Sequence, residues 1–84
     1  MVVSHIVWSE KFRKEVTKIK DNKIKEKLEK QLHNIVECPE IGKPLRYTLK
    51  CERTIYVKPY RLIYSYQKTT LYLLRFEHRK HVYK

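Results

Sequence analysis

The chain opens on a short apolar, β-branched run, Val2 to Val7, which predicts a first strand inside or at the border of a sheet. Trp8, Phe12, Val16 and Ile19 then recur at steps of four, four and three, the spacing of one helix face, while Lys11, Arg13, Lys14 and Lys18 fall off that stripe. Ser9 suits the N-cap and Glu10 the first turn, where a side-chain oxygen and a negative charge favour the exposed amides. Asp21-Asn22 interrupts the stripe and offers a second cap. Beyond it Ile24, Leu28, Leu32 and Ile35 repeat the same spacing, widened by Val36, until Cys38-Pro39 stops the helix. Two helices with one apolar stripe each and a tight link form an antiparallel hairpin, and its combined face must cover something.

What it covers is predicted by the second half. The only glycine and two of the three prolines fall in Pro39-Glu40-Ile41-Gly42-Lys43-Pro44, the clear connector. After it the period shortens to strand-like runs at Arg46 to Leu49, Arg53 to Val57, Tyr60 to Gln67 and Thr70 to Phe76. The breaks at Lys58-Pro59 and Gln67-Lys68-Thr69 suit hairpins and therefore antiparallel pairing. The expected fold is α+β: two N-terminal helices packed on one face of an antiparallel sheet of about four strands, in a single domain spanning residues 1–84. In the run Tyr60 to Tyr66, alternation puts Tyr60, Leu62, Tyr64 and Tyr66 on one face and Arg61, Ile63 and Ser65 on the other. One face is a core wall. The other projects a guanidinium from a rigid sheet, where it can be positioned on a phosphate.

Charge sharpens this picture. Residues 1–42 carry nine Lys/Arg against seven Asp/Glu, a net of +2, whereas residues 43–84 carry eleven against Glu52 and Glu77, a net of +9. All seven tyrosines lie in that second half. Several serve strand packing, but the half as a whole reads as a basic recognition surface mounted on a nearly neutral scaffold. A total of +11 on 84 residues, with a core that covers only about 60% of the unfolded surface, calls for an anionic partner, nucleic acid or an acidic protein. The lysines at 14, 18, 20, 23, 25, 27 and 30, interspersed with Glu15, Glu26 and Glu29, are read as the solvated helix faces. No apolar run approaches the roughly 20 residues of a membrane span, and the N-terminus lacks a signal-peptide layout. A cytoplasmic protein is expected, with Cys38 and Cys51 as reduced thiols.

A single glycine leaves no phosphate-binding glycine loop. His33, Cys38, Cys51, His78 and His81 have no metal-site spacing, so no metal or cofactor is expected, and the lone Asp21 sits in the helix-hairpin turn, away from any Ser-His pair. What remains is cations and phenols. Such a set suits RNA cleavage by the substrate's own 2′-hydroxyl, which needs a base, positive charge for the phosphorane, an acid for the leaving oxygen, and stacking to splay the bases. Crowded guanidinium groups also disfavour a lysine's charged form and move it toward acting as a base. Composition alone leaves simple nucleic-acid binding equally open.

Tyr60-Arg61-Leu62-Ile63-Tyr64, preceded by Gly42-Lys43-Pro44-Leu45-Arg46 and followed by Leu74-Arg75-Phe76-Glu77-His78-Arg79-Lys80-His81-Val82-Tyr83, resembles the RelE toxins of the RelE/ParE superfamily. The order of elements agrees, so the resemblance covers nearly the whole chain. It implies an mRNA interferase, an endoribonuclease that enters the ribosomal A site and cuts the codon there, silenced by a small acidic RelB-like antitoxin. It implies that Arg61 stabilises the transition-state phosphate, that Arg79 binds phosphate or protonates the leaving group, and that Tyr83 stacks on or orients the nucleotide. Lys43, Arg46, Lys50, Lys58, Lys80 and His81 would contact RNA. Where the family has two alternating cations before Arg61, this chain offers Arg53, Thr54, Ile55 and Tyr56, in which only Arg53 matches in charge. The register there stays open, as does the base: Arg53 and Lys50 stand ahead of Lys58, and His81 is an alternative acid or base. Two rivals remain, a ParE-like gyrase poison on the same fold and a non-catalytic basic RNA- or ribosome-binding module.

Overall fold

The computed structural model describes residues 3–44 and 52–78. In chain order these form β1 (His5–Trp8), α1 (Glu10–Thr17), α2 (Asn22–Glu37), β2 (Lys43–Pro44), β3 (Glu52–Val57), β4 (Tyr60–Gln67) and β5 (Thr70–His78). The strands make one sheet in the order β1-β5-β4-β3-β2, with the helices packed on one of its faces. The α+β architecture is the expected one, with two differences. The described residues form five strands, and β1 pairs with β5 in parallel rather than antiparallel. Parallel pairing follows from the two helices, which carry the chain away before the sheet is built and let β5 return beside β1. The strand expected over Arg46 to Leu49 lies outside the described residues.

The first helix starts where the Ser9 cap predicts, although its apolar stripe begins earlier, at Trp8. Ser9 accepts a hydrogen bond from the Phe12 amide at 3.1 Å, so helix starts at Glu10. Trp8 therefore belongs to β1, opposite Leu73, and is 44% exposed instead of packed in the core. Its ring still reaches Phe12, centroids 5.4 Å apart. Asp21 caps α2 through the Lys23 amide at 2.9 Å, as its position predicted.

Ser9 has a second task. Along the β4–β5 pair Ile63 faces Arg75 and Tyr64 faces Leu73, which leaves Leu74 as an extra residue, a β-bulge. The Leu74 carbonyl accepts from the Ser9 hydroxyl at 2.6 Å, and the Leu73 carbonyl accepts from the Ser9 amide at 3.0 Å. One serine thus closes the bulge and starts the helix that lies over it. The bulge also shifts the phase of β5: Leu71 and Leu73 join the core before it and Phe76 after it.

The core runs between the helices and the sheet, with Phe12, Ile35, Leu62, Tyr64, Leu71 and Phe76 fully buried. Truncating either phenylalanine to Ala costs about 3–5 kcal/mol, a large part of the roughly 4–13 kcal/mol available to a domain this small. The connector is tied to this core by polar contacts. The Tyr64 hydroxyl accepts from the Gly42 amide at 2.9 Å and donates to the Pro39 carbonyl at 2.7 Å. Arg53 donates to the Gly42 and Glu40 carbonyls at 2.8 and 3.2 Å. A Cβ on residue 42 would stand 2.7 Å from the Tyr64 hydroxyl, so only glycine allows this approach. The clamp fixes where β2 meets β3, and so where Lys43 stands.

Candidate functional site

Directly opposed residues share a face of the sheet, so the pairing defines the face turned away from the helices. Lys43, Thr54, Ile63 and Arg75 form one row across β2, β3, β4 and β5. Tyr56, Arg61 and Glu77 form the next row, and Glu52, Ser65 and Tyr72 a third. Ile63 is fully buried, and Thr54 and Ser65 are 8% and 3% exposed, so these three make a floor. Around it stand Lys43, Tyr56, Arg61 and Arg75. With strands about 4.8 Å apart and about 3.4 Å per residue, the Cα atoms of Lys43 and Arg61 are roughly 12 Å apart with Thr54 between them.

The carboxylates on this face are already engaged. Arg75 holds Glu77 at 3.3 Å through Nε and Glu52 at 3.9 Å through Nη2. Glu52 and Glu77 are the only acidic residues after position 42. Arg61, directly across from Glu77, makes no ion pair with any described residue, and its Nε is buried with no hydrogen-bond partner. The Thr54 hydroxyl is in the same condition. Buried donors on a cationic group are costly to leave unmet. Thr54 and Arg61 thus bring two unmet donors to neighbouring strands of one face, which Lys43 shares.

The sequence-predicted residues separate accordingly. Arg61 and Lys43 share this face. Arg53 does not: it pairs with Tyr64 on the helix side, and its guanidinium is committed to the connector carbonyls. On the site face the β3 neighbours of Arg61 are Thr54 and Tyr56. The signal was present in Ile55 and Val57, an apolar pair two apart whose burial assigns Arg53 to the core face by parity. Lys58, exposed in the β3–β4 turn, lines a cleft against α2. Arg46, Lys50, Arg79, Lys80, His81 and Tyr83 lie outside the described residues. Burial pushes the Tyr64 phenol above its usual range, partly opposed by the hydrogen bond from Gly42, so it serves as a neutral clamp. Tyr60, stacked on Phe76 at 4.8 Å and edge-on to His78 at 5.1 Å, belongs to the core side.

Among the described residues no group of three His, Cys, Asp or Glu side chains converges to hold a metal, and no helix is long and apolar enough to cross a membrane. Cys38 is an exposed free thiol at the end of α2. The face offers charge, the buried hydroxyls of Thr54 and Ser65 and an exposed phenol ring, a set suited to binding and stabilising a phosphodiester.

Residues 6–83 match the family model described as ParE toxin of type II toxin-antitoxin system, parDE. No curated protein matches the sequence. Among solved structures, the chain is similar to RelE in the intact Escherichia coli RelBE toxin–antitoxin complex, with a TM-score of 0.75 at 24% identity, covering 88% of this chain and 94% of that one. The isolated E. coli RelE toxin gives the same score and identity over 88% and 82% of the two chains. The E. coli DinJ–YafQ complex follows with a TM-score of 0.65 at 24% identity, over 94% and 97%. At such identity the likeness is one of fold.

Proposed function

The chain belongs to the ParE toxin family of type II toxin–antitoxin systems, within the RelE/ParE superfamily, and we propose that it acts there as a ribosome-dependent mRNA endoribonuclease of the cytosol. The observation that carries this reading is Arg61: a sheet-mounted guanidinium with no carboxylate partner among the described residues, its buried Nε unmet, beside Lys43, Thr54 and Tyr56.

In the proposed reaction the substrate's 2′-hydroxyl attacks the adjacent phosphorus, the bond to the 5′ oxygen breaks, and a 2′,3′-cyclic phosphate and a 5′-hydroxyl result. A base takes the 2′ proton and an acid returns one to the leaving oxygen. Arg61 and Lys43 neutralise the charge that grows on the phosphorane, the step at which preorganised donors act most strongly. Thr54 donates from the floor and Tyr56 receives an unstacked base. By family resemblance Arg79 serves as phosphate ligand or acid, with His81 the alternative, and Tyr83 orients the nucleotide. An acidic antitoxin neutralises the +11 chain.

The match to a ParE model favours one second reading, a gyrase poison that works through protein contacts and has no use for the Arg61 site. Primer extension on mRNA translated with added toxin decides between them. Codon-positioned cuts support the ribonuclease. Uncut message together with inhibited gyrase supercoiling supports the second reading.

A further inference from the structure

The outer edge of β3 is paired by β2 only at Arg53 and Thr54. Beyond that, among the described residues, the edge lies open beside α2, and a cleft of about 330 Å³ runs along it, lined by Lys27, Lys30, Gln31, Asn34, Tyr56 and Lys58. Among the described residues its lining carries no carboxylate. By contrast, the cleft between α1 and β5 includes Glu15 and Glu77, and the second cleft on α2, which shares Lys30 with this one, includes Glu26 and Glu29. Lys27, Lys30 and Lys58 make no ion pair with any described residue, whereas Lys14 and Lys18 are held by Glu10 and Glu15. Tyr56 joins the cleft to the site: it is 48% exposed, lines the cleft, and stands directly opposite Arg61.

We infer that this cleft is a second RNA-binding site, in which Lys27, Lys30 and Lys58 hold the backbone phosphates of the single strand that leaves the Arg61 site over Tyr56. The inference rests on the ribonuclease reading and adds a direction to it. The strand turns around the β3 edge toward α2. Cations held in no ion pair among the described residues bind phosphate without an internal pair to break, and the amides of Gln31 and Asn34 add uncharged donors for sugar and phosphate oxygens. An exposed phenol at the mouth suits a splayed base, which favours single-stranded over duplex RNA. Two of the helix lysines that the sequence assigns to a solvated surface thereby acquire a ligand.

The test is fluorescence anisotropy of a labelled single-stranded RNA whose 2′-hydroxyls are methylated so that it cannot be cleaved, titrated over a range of salt with the full chain. A Lys27→Gln/Lys30→Gln variant is expected to bind more weakly and to lower the salt slope by about 1.4, at about 0.7 per lost phosphate contact. Lys11→Gln/Lys14→Gln, the same change of charge on the other helix, keeps the wild-type slope. Tyr56→Ala loses about tenfold on the single strand and much less on duplex RNA. An unchanged slope in the Lys27/Lys30 variant, with normal wild-type binding, overturns the cleft and leaves the Arg61 site standing. Loss of a poly-glutamate peptide and not of RNA overturns it in favour of an acidic protein ligand. If the wild type binds no RNA at all, the cleft and the ribonuclease reading fall together.

Discussion

Arg75 holds the carboxylate of Glu77 at 3.3 Å, and Glu77 is the residue directly across the sheet from Arg61. The ion pair is partly exposed and stabilises the fold only modestly. Its consequence is for the neighbour, because a carboxylate bound to Arg75 is kept away from Arg61. Arg75→Gln is therefore expected to lower RNA cleavage by about tenfold or more, as Glu77 turns to Arg61 and competes with phosphate for a charge-assisted bond worth about 1.5–3 kcal/mol. The double variant Arg75→Gln/Glu77→Gln recovers most of the loss. Failure to recover shows that Arg75 itself touches the substrate.

Thr54 separates stability from activity. Its hydroxyl is buried without a partner, so Thr54→Val removes a group whose desolvation costs about 1–3 kcal/mol and replaces it with one of similar shape. Thermal stability is expected to hold or rise while cleavage falls several-fold. A lower melting temperature with unchanged cleavage shows that the hydroxyl serves the fold alone.

The clamp on the connector predicts the opposite pattern. Tyr64→Phe strands the Gly42 amide and the Pro39 carbonyl and costs about 1–3 kcal/mol, several degrees of melting temperature for a domain this size. Gly42→Ala drives a Cβ against the Tyr64 hydroxyl and destabilises as well. The phenol's pKa is raised in the folded state, first by burial. Its contribution is thus fully present below the ordinary tyrosine value of 10.0 and is lost as pH rises past it, because the unfolded chain ionises first. Urea melts between pH 8 and 11 check this: wild type loses stability at the alkaline end more steeply than Tyr64→Phe.

How much of this could be read in the residues differs from strand to strand. The helices were legible because Ser9, Asp21 and two apolar stripes agree on them. The faces of β4 were legible because tyrosine and leucine alternate with arginine and serine. On β3 one face carries Arg53, Ile55 and Val57 and the other Glu52, Thr54 and Tyr56, so the apolar pair marks the core face while the charge of Arg53 argues against it. The bonds that hold Arg53 on that face, to the connector carbonyls, are tertiary and leave no mark in its spacing. The bulge at Leu74 hides inside the apolar run Leu71 to Leu74, where no polar residue marks the change of phase. Trp8 was misplaced because an aromatic residue beside a helix cap fits a helix stripe and a strand end equally well. That Arg61 pairs with no described carboxylate depends on which carboxylate Arg75 captures, a relation between strands that no spacing along the chain records.

RNA affinity is expected to depend steeply on salt. With about five cations on single-stranded phosphates, log affinity should fall against log salt with a slope of roughly −3.5. Filter binding from low to physiological salt measures it, and a slope near zero removes every nucleic-acid reading of the basic half.

The central claim is that Arg61 acts on the transition state. Removing one preorganised donor of this kind typically costs about 10²- to 10³-fold in rate, or roughly 2.7–4 kcal/mol, whereas docking through a whole basic face loses little with one cation. The direct measurement is single-turnover cleavage of programmed ribosomes by wild type and Arg61→Ala, beside a pelleting assay on the same ribosomes. Cleavage is expected to fall at least about a hundredfold while the bound fraction changes only slightly and the circular dichroism spectrum stays native. If cleavage and binding fall together, Arg61 is a docking residue and the account of the site is wrong.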